Sequence, residues 1–491
     1  MKIMDKIREQ ARNFLRIEQP QGMSINIQKL KDFDAYCFEN ELWYHGEANE
    51  LQQFYMQLYD GVGNNSFWGS QSSKGMKMRK IHTGLPGMIV DVLTDICTDD
   101  LYKIELSDRQ DEWDKIAEKN DFKQIISDAV RDTFVFSDGA FKLSIDESVS
   151  EYPIIEFIPG DRVEYEYTRG SLTAVIFKTP KVIKGSDYLL KERYSKDSIS
   201  YVLENSEGRQ VDIKSFSEFE GLINVTHFAG IIPAVPMKFR ASRKYKGRGK
   251  SLFDGKLSDF DAFDEVFSQI MLALRKGQMK SYIPSDFIPR DPKTGVLRGY
   301  NDFDNDFISI ESPMSEGDKK QITTTQGNIQ HEALVSIYCT ALDLCLQGII
   351  SPSTLGIDVK KLDNAEAQRE KEKTTLYTRN RVVNVLSQVI PQLINTTLKF
   401  YDTMQSKPVG KDVDVIVTFG GYANPSFEAN VETVGKASSY GIMSIETQIE
   451  ELYGDTKNEE WKKAEIERIK KEKGIEAVDE PALYNDITTD E

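Results

Sequence analysis

A short basic segment, GRGKS at 247–251, comes nearest to a phosphate-binding motif. The P-loop of nucleotide-binding proteins reads Gly-x-x-x-x-Gly-Lys-Ser, and its glycines allow backbone N–H groups to surround the phosphates. The first glycine of that pattern would stand at position 244, which is Lys244. Basic residues, rather than a buried strand, precede the segment. The sequence therefore favours a basic loop that caps a helix.

Two other patterns resemble metal sites. His331-Glu332 could begin a His-Glu-x-x-His zinc motif, but the second histidine position is Val335. Aspartates at 302, 304 and 306 resemble the start of an EF-hand loop, but Phe307 replaces its glycine and Pro313 replaces its final glutamate. We expect neither motif to be functional, although a looser cation site at 302–306 stays open. We predict no catalytic residue, no metal and no cofactor.

Composition limits the class of protein. The chain has 491 residues, which is too long for one compact core and suggests two to four domains. Its net charge of -17 argues against a protein that grips DNA tightly, because phosphate binding requires a basic face. The negative charge does not argue against a protein through which DNA passes without binding tightly. Four cysteines without a Cys-x-x-Cys pair suggest a reducing compartment, and no run is apolar enough for a membrane helix.

Hydrophobic periodicity predicts an α+β protein that is mainly helical. Short alternating runs at 139–240 predict a strand meander. Apolar residues at three- and four-residue steps predict single helices at about 85–101, 113–136, 251–280, 327–349 and 365–404. The last of these contains Pro391, which we expect to kink it. A strand at 413–419 and three short helices are expected to follow.

The order of these elements resembles the portal proteins of tailed bacteriophages, in particular the portal family of phages of Gram-positive bacteria. The stretches that carry the resemblance are 41–55, 249–271, 351–394 and 412–455, which begin ELWYHGEANE, GKSLFDGKLS, SPSTLGIDVK and DVDVIVTFGG. The resemblance covers nearly the whole chain. It is most specific over the C-terminal 240 residues, whereas the meander matches only in type.

The resemblance implies an architecture of wing, stem, clip and crown. It would divide the chain into a wing at 1–250, a first stem helix at 251–281, a clip at 282–325, a second stem helix at 326–349, a tunnel loop at 350–364, a long kinked helix with a wing strand at 365–426, a helical crown at 427–475 and an acidic tail at 476–491.

The resemblance also implies a role without catalysis. The chain would form a ring, with twelve subunits expected, at one vertex of the virion capsid after assembly in the host cytoplasm. The implied partners are the terminase large subunit, a head-tail adaptor, the major capsid and scaffold proteins, and double-stranded DNA that passes without sequence specificity. No membrane is expected to be involved.

Charge and the resemblance together give candidate residues for the DNA channel. The candidate wall acids are Asp259, Asp261, Asp264 and Glu265, because a negative wall repels phosphates. Lys360 and Lys361 are candidates for transient phosphate contacts. The candidate tunnel-loop residues are Ser351, Pro352, Ser353, Thr354, Leu355 and Gly356.

Two alternatives stay open at this stage. A packaging ATPase or nuclease would require the P-loop glycine that Lys244 replaces. Another assembly protein, such as a scaffold or coiled-coil adaptor, would be elongated and helical throughout. The strand-rich stretch at 139–240 argues against that second alternative.

Overall fold

The structure is a computed structural model. It describes residues 32–58, 66–70, 78–99, 101–146, 148–219, 222, 224–226, 230–284, 287–288, 291–295, 307–310, 322–357, 365–420, 427–453 and 459–472. The chain divides into two compact units, Met1–Phe419 and Gly420–Glu491. Among the described helices, none combines the length and apolar character needed to cross a membrane.

The first unit contains both helices and strands, so the expected mixture is confirmed. Its described helices are α1 (Phe33–His45), α2 (Ala48–Leu58), α3 (Leu85–Thr98), α4 (Gln110–Asn120), α5 (Phe122–Phe136), α6 (Leu257–Gly277), α7 (His331–Leu346) and α8 (Ala365–Met404). Its described strands are β1 (Leu101–Leu106), β2 (Gly139–Ser144), β3 (Ile154–Pro159), β4 (Val163–Thr168), β5 (Ser171–Ile183), β6 (Ser186–Ser195), β7 (Ser198–Asn205), β8 (Gln210–Val211), β9 (Val225–Thr226), β10 (Ala234–Met237), β11 (Lys280–Pro284), β12 (Phe307–Ile310), β13 (Thr323–Thr325) and β14 (Val415–Phe419).

The strands form several small sheets. Strands β4 to β8 lie side by side in chain order, as in a meander, and β9 pairs with β7, whereas β2, β3 and β10 of the stretch at 139–240 belong to a separate sheet. A second sheet has the order β10-β2-β3, and a third has the order β12-β11-β13 between α6 and α7. In the third sheet, β11 runs parallel to β12 and antiparallel to β13.

Strand β1 pairs antiparallel with β14, although about 300 residues separate them in sequence; Leu106 lies opposite Val415 and Ile104 opposite Val417. The sequence analysis predicted the second strand but not the first. The stretch LYKIEL is short, and it follows directly on a helix that the periodicity extended to Leu101. That extension was wrong, because α3 ends at Thr98.

The single helix predicted from Trp113 to Phe136 is also wrong. Asp121 adopts a left-handed backbone conformation with φ 49°, which ends α4 and begins α5. Aspartate tolerates this conformation better than most residues. The break folds the two helices against each other, and the rings of Trp113 and Phe122 meet edge to face at 4.9 Å.

The core of the first unit is one cluster of buried side chains drawn from α1 to α8 and from the sheets. Helix α8 crosses this core with the 40 residues that its apolar stripe predicts, and it buries Leu386, Ile390 and Leu393 completely. Pro391 lies inside it. A smaller cluster lies under the meander and includes Ile183 and Leu203.

The second unit contains the expected short helices, which are α9 (Phe427–Ser439), α10 (Ile445–Tyr453) and α11 (Glu459–Glu472). Gly441 (φ 70°) ends α9, and its N–H and that of Ile442 bond back to carbonyls of the last turn. Helices α10 and α11 are joined by an edge-to-face contact between Tyr453 and Trp461 and by an ion pair between Lys462 and Glu450.

Candidate functional site

Helices α6 and α7, to which the resemblance assigns the stem, form an antiparallel pair. Near the start of α6, Lys256 Nζ donates to the carbonyl oxygen of Leu344 at the end of α7, at 2.6 Å. At the other end, Gly277 closes α6 against the residues that precede α7, and a Cβ added there would lie 2.2 Å from Ile329. Between these points, the rings of Phe263 and Tyr338 pack at 5.2 Å. Packing at both ends fixes how the helices align.

The four candidate wall acids of α6 lie in different environments. Asp264 is 1 % exposed. Its Oδ2 accepts hydrogen bonds from Trp68 Nε1 (3.2 Å) and His82 Nδ1 (2.6 Å), and its Oδ1 accepts from the backbone N–H (3.0 Å) and the hydroxyl (2.9 Å) of Thr83. Asp264 therefore presents its carboxylate to its own subunit, not to a channel.

Asp261 also bonds within the subunit. Its two oxygens accept from the backbone N–H groups of Phe67 (2.7 Å) and Trp68 (3.1 Å). Burial raises the pKa of Asp261, and these two hydrogen bonds act in the opposite direction. Together, Asp261 and Asp264 attach the segments at 66–70 and 78–84 to α6.

The remaining two acids are more accessible. Asp259 lies 3.2 Å from Lys256 Nζ and keeps about a third of its side chain exposed. Glu265 accepts a hydrogen bond from Gln269 Nε2 on the surface of α6. A role in a channel wall stays a prediction for this pair.

Lys80 completes the attachment of the 66–70 segment. Its ammonium donates to the carbonyl oxygens of Phe67, Trp68 and Ser70, and the first two rings lie within 6 Å of it. Burial lowers the pKa of Lys80, and the nearby Asp261 carboxylate opposes that effect. The sequence analysis missed this network. One feature of the sequence could have indicated that Asp264 is buried. It follows Phe260 by four residues, so it falls on the apolar stripe of the helix.

The candidate tunnel loop begins as a short 3-10 helix at Pro352–Leu355 that ends at Gly356, whose φ of 70° suits glycine. Ser351 precedes it and is buried, and its hydroxyl lies 2.7 Å from that of Ser353. The six candidate tunnel-loop residues, 351–356, therefore form one compact turn. Lys360 and Lys361 lie outside the described residues.

Helix α8 anchors this loop through two hydroxyl groups. Thr375 is fully buried, and its Oγ1 accepts from the backbone N–H of Ser351 at 2.9 Å and lies 3.0 Å from Thr354 Oγ1. One turn further along, Thr378 Oγ1 donates to the carbonyl oxygen of Ile349 at 2.8 Å. Sequence reasoning assigned no role to either threonine.

The GRGKS segment does not form a phosphate cradle. The N–H of Gly249 donates to Asp138 Oδ2, that of Lys250 to the carbonyl oxygen of Arg240, and that of Ser251 to the hydroxyl of Tyr36. A P-loop needs such groups to point at the ligand. Here they hold the segment against Asp138, Arg240 and helix α1, so the prediction of a loop rather than a P-loop agrees with the hydrogen bonding.

The metal motifs find no support among the described residues. His331 and Glu332 begin α7 and are exposed, and no group of three metal-ligating side chains occurs in the part of the chain that the structure describes. The aspartate-rich stretch at 301–306 lies outside the described residues.

Helix α7 leaves apolar side chains uncovered on a flank, about a third of a turn from Tyr338, which packs on α6. Leu342 and Cys345 are buried, whereas Ile337 and Leu344 are 52 % and 49 % exposed. Ile337 and Leu344 are seven residues apart, so they form one stripe along the helix. Such a stripe on a helix pair is typical of a surface that packs against another protein.

Comparison with known protein families assigns the chain to one of them. The model of the family described as "Phage portal protein, SPP1 Gp6-like" matches residues 34–478. The chain belongs to this portal family. No curated protein matches the chain.

Two solved structures are similar to this portal family member. One is described as the neck of a native GTA particle with C12 symmetry; it shares 10 % identity, with a TM-score of 0.41, over 76 % of this chain and 91 % of that one. The other is the neck of an empty GTA particle with C6 symmetry, at 10 % identity and a TM-score of 0.38, over 80 % and 96 % of the two chains.

Proposed function

We propose that the chain is the repeating subunit of a ring-shaped channel at one capsid vertex, through which DNA is packaged and later ejected. Membership in the portal family over residues 34–478 carries the proposal. The uncovered stripe of Ile337 and Leu344 on α7 adds support, because side-by-side packing of copies would bury it. A closed ring of about twelve copies is the assembly we propose.

In this proposal α6 and α7 are the stem, and the sheet β12-β11-β13 with its flanking residues is the clip. The residues N-terminal to α6, together with α8 and β14, form the wing, and α9 to α11 form the crown. The clip would receive the terminase large subunit during packaging and the head-tail adaptor afterwards. The major capsid and scaffold proteins would surround the ring in the virion, after assembly in the host cytoplasm.

The charge of the chain suits passage of DNA. A net charge of -17 per chain gives a ring of twelve roughly -200 before counterions are counted. Such a surface repels phosphates and keeps DNA from binding tightly. Asp259 and Glu265 are the stem acids best exposed to act in this way. Transient contacts from Lys360, Lys361 and the loop that begins at Ser351 complete the proposed channel.

Negative-stain electron microscopy with mass determination on the purified full-length chain tests the proposal. Rings of about a dozen subunits with a central hole are the expected result. Closed particles of two to four subunits, under conditions in which the chain is folded, would contradict it.

A further inference from the structure

A half-open cavity of about 160 Å³ lies in the first unit, where four segments meet. Its walls come from Phe134 of α5, from the basic loop that leads into α6, from the residues that follow α7 and from the middle of α8. Four basic side chains line it: Arg240, Lys250, Lys256 and Arg381. This cavity, here called the basic cavity, plays no part in the proposed channel.

The basic cavity has an excess of positive charge. Among the described residues that line it, Asp254 is the one carboxylate beside four basic residues, so Arg240 and Arg381 have no carboxylate of the lining left to balance them once Lys250 and Lys256 are paired. Asp254 lies 3.7 Å from Lys250 Nζ, and Lys256 pairs with Asp259 at 3.2 Å. Holding like charges together is unfavourable unless a counter-charge is present. The imbalance is notable in a chain whose net charge is -17.

We propose that the basic cavity binds a phosphate group. A phosphate carries up to two negative charges and offers several acceptor oxygens, which suits a guanidinium from Arg381 beside the ammonium of Lys250. One water occupies about 30 Å³, so the cavity holds a phosphate together with a few waters. Because the backbone N–H groups of residues 249–251 are already bonded, binding uses side chains rather than a P-loop.

Phosphate binding would stabilise the start of the candidate tunnel loop. Gln347, Gly348 and Ile349 line the cavity directly before that loop, and Thr378 on α8 lines it as well. Thr378 already holds the carbonyl oxygen of Ile349. A phosphate on Arg381, one turn along from Thr378, would add a second connection between α8 and this segment. We therefore expect slower amide exchange at 347–357 when phosphate is bound.

Calorimetry and thermal unfolding of the full-length chain test the proposal, with potassium phosphate compared against potassium chloride at equal ionic strength. We expect saturable stabilisation by phosphate alone. Arg381→Gln is expected to weaken phosphate binding about tenfold or more, as when one charge-assisted hydrogen bond is lost. The control is Arg209→Gln, which removes an arginine that is 80 % exposed and far from the cavity in sequence; its binding should stay within about twofold of wild type.

Lys250→Gln provides a second variant in case Arg381→Gln impairs folding, which circular dichroism detects. Equal stabilisation by phosphate and chloride would overturn the proposal, as would unchanged binding in both cavity variants. A short DNA duplex at the same phosphate concentration distinguishes the source of the group. Competition by the duplex assigns the site to backbone phosphate, and its failure to compete assigns the site to a free ion.

Discussion

Nδ1 of His82 donates a 2.6 Å hydrogen bond to Asp264 across 182 residues of sequence, and both side chains are at most 2 % exposed. Asp264 also accepts from Trp68 and Thr83, which is the pattern expected of an ionised carboxylate, so the proton lies on Nδ1. The segments before α3 are thereby joined to α6 by a buried carboxylate.

Asp264→Asn is expected to lower the free energy of unfolding by about 3 kcal/mol. The amide keeps the shape of the side chain, but it places a donor against the donors of His82 or Thr83. Urea denaturation of the subunit measures the change. Glu265→Gln, on the surface of the same helix, is the matched control and should change stability by less than about 0.5 kcal/mol. Equal effects of the two substitutions would show that the buried network contributes little.

Thr375→Val is expected to loosen the candidate tunnel loop while leaving the ring intact. The substitution keeps the volume but leaves the N–H of Ser351 without its acceptor, which costs about 1–3 kcal/mol locally. Amide hydrogen exchange should accelerate at 351–357, and DNA packaging should fall. Thr396→Val is the control, because that hydroxyl bonds only to its own helix, at the carbonyl oxygen of Gln392. Unchanged exchange in Thr375→Val would contradict the anchoring role.

Ile337→Asp combined with Leu344→Asp is expected to prevent ring assembly without unfolding the subunit. A charge on each of two residues that a neighbour would bury introduces a desolvation penalty at every interface. Mass photometry and electron microscopy measure the outcome. Ser336→Asp adds a single negative charge at an exposed position about a quarter-turn away on α7, and Ile337→Asp alone, which also adds one, is compared with it as the matched control. Rings formed equally well by the double variant would place the interface elsewhere.

Asp132 makes stability depend on pH. Burial raises the pKa of its carboxyl to about 6, although nearby Arg131 opposes this. Between about pH 4, where the unfolded carboxyl loses its proton, and about pH 6, where the folded one does, the folded chain binds more protons than the unfolded chain. The contribution of Asp132 to stability therefore falls as pH rises through this window.

Asp132→Asn removes that penalty. It should therefore stabilise the chain by about 1 kcal/mol at pH 7.5, a figure reduced for partial exposure, and should have almost no effect near pH 4. Urea midpoints at the two pH values measure this. Asp128→Asn, on the same helix, removes a partner of Arg131 and should not stabilise the chain. A pH-independent effect of Asp132→Asn would contradict the titration.

The sequence was sufficient for elements whose signal is local. The helix Ala365–Met404 was predicted to its ends, because its apolar stripe repeats over 40 residues. The break at Asp121 could not be predicted, because the apolar periodicity continues through it and tertiary packing favours the left-handed conformation. Strand β1 was missed for a related reason, since its only described partner, β14, begins at Val415.

The candidate site was predictable in outline only. Charge identified α6 as an acidic helix, yet charge alone does not distinguish a solvated aspartate from Asp264, whose partners come from residues 68–83. The anchoring threonines, Thr375 and Thr378, carry no motif. Their roles depend on tertiary structure, because the fold places these two residues of α8 beside Ser351 and Ile349.

The pairing of β1 with β14 has a consequence during synthesis. At 5–20 residues per second, a ribosome needs about 15 to 60 s to extend the chain from Leu106 to Val415. Throughout that time β1 is an unpaired strand edge, which can attract other nascent chains. A subunit truncated before residue 415 never closes this ribbon. Premature termination before residue 415 would therefore give aggregation-prone products.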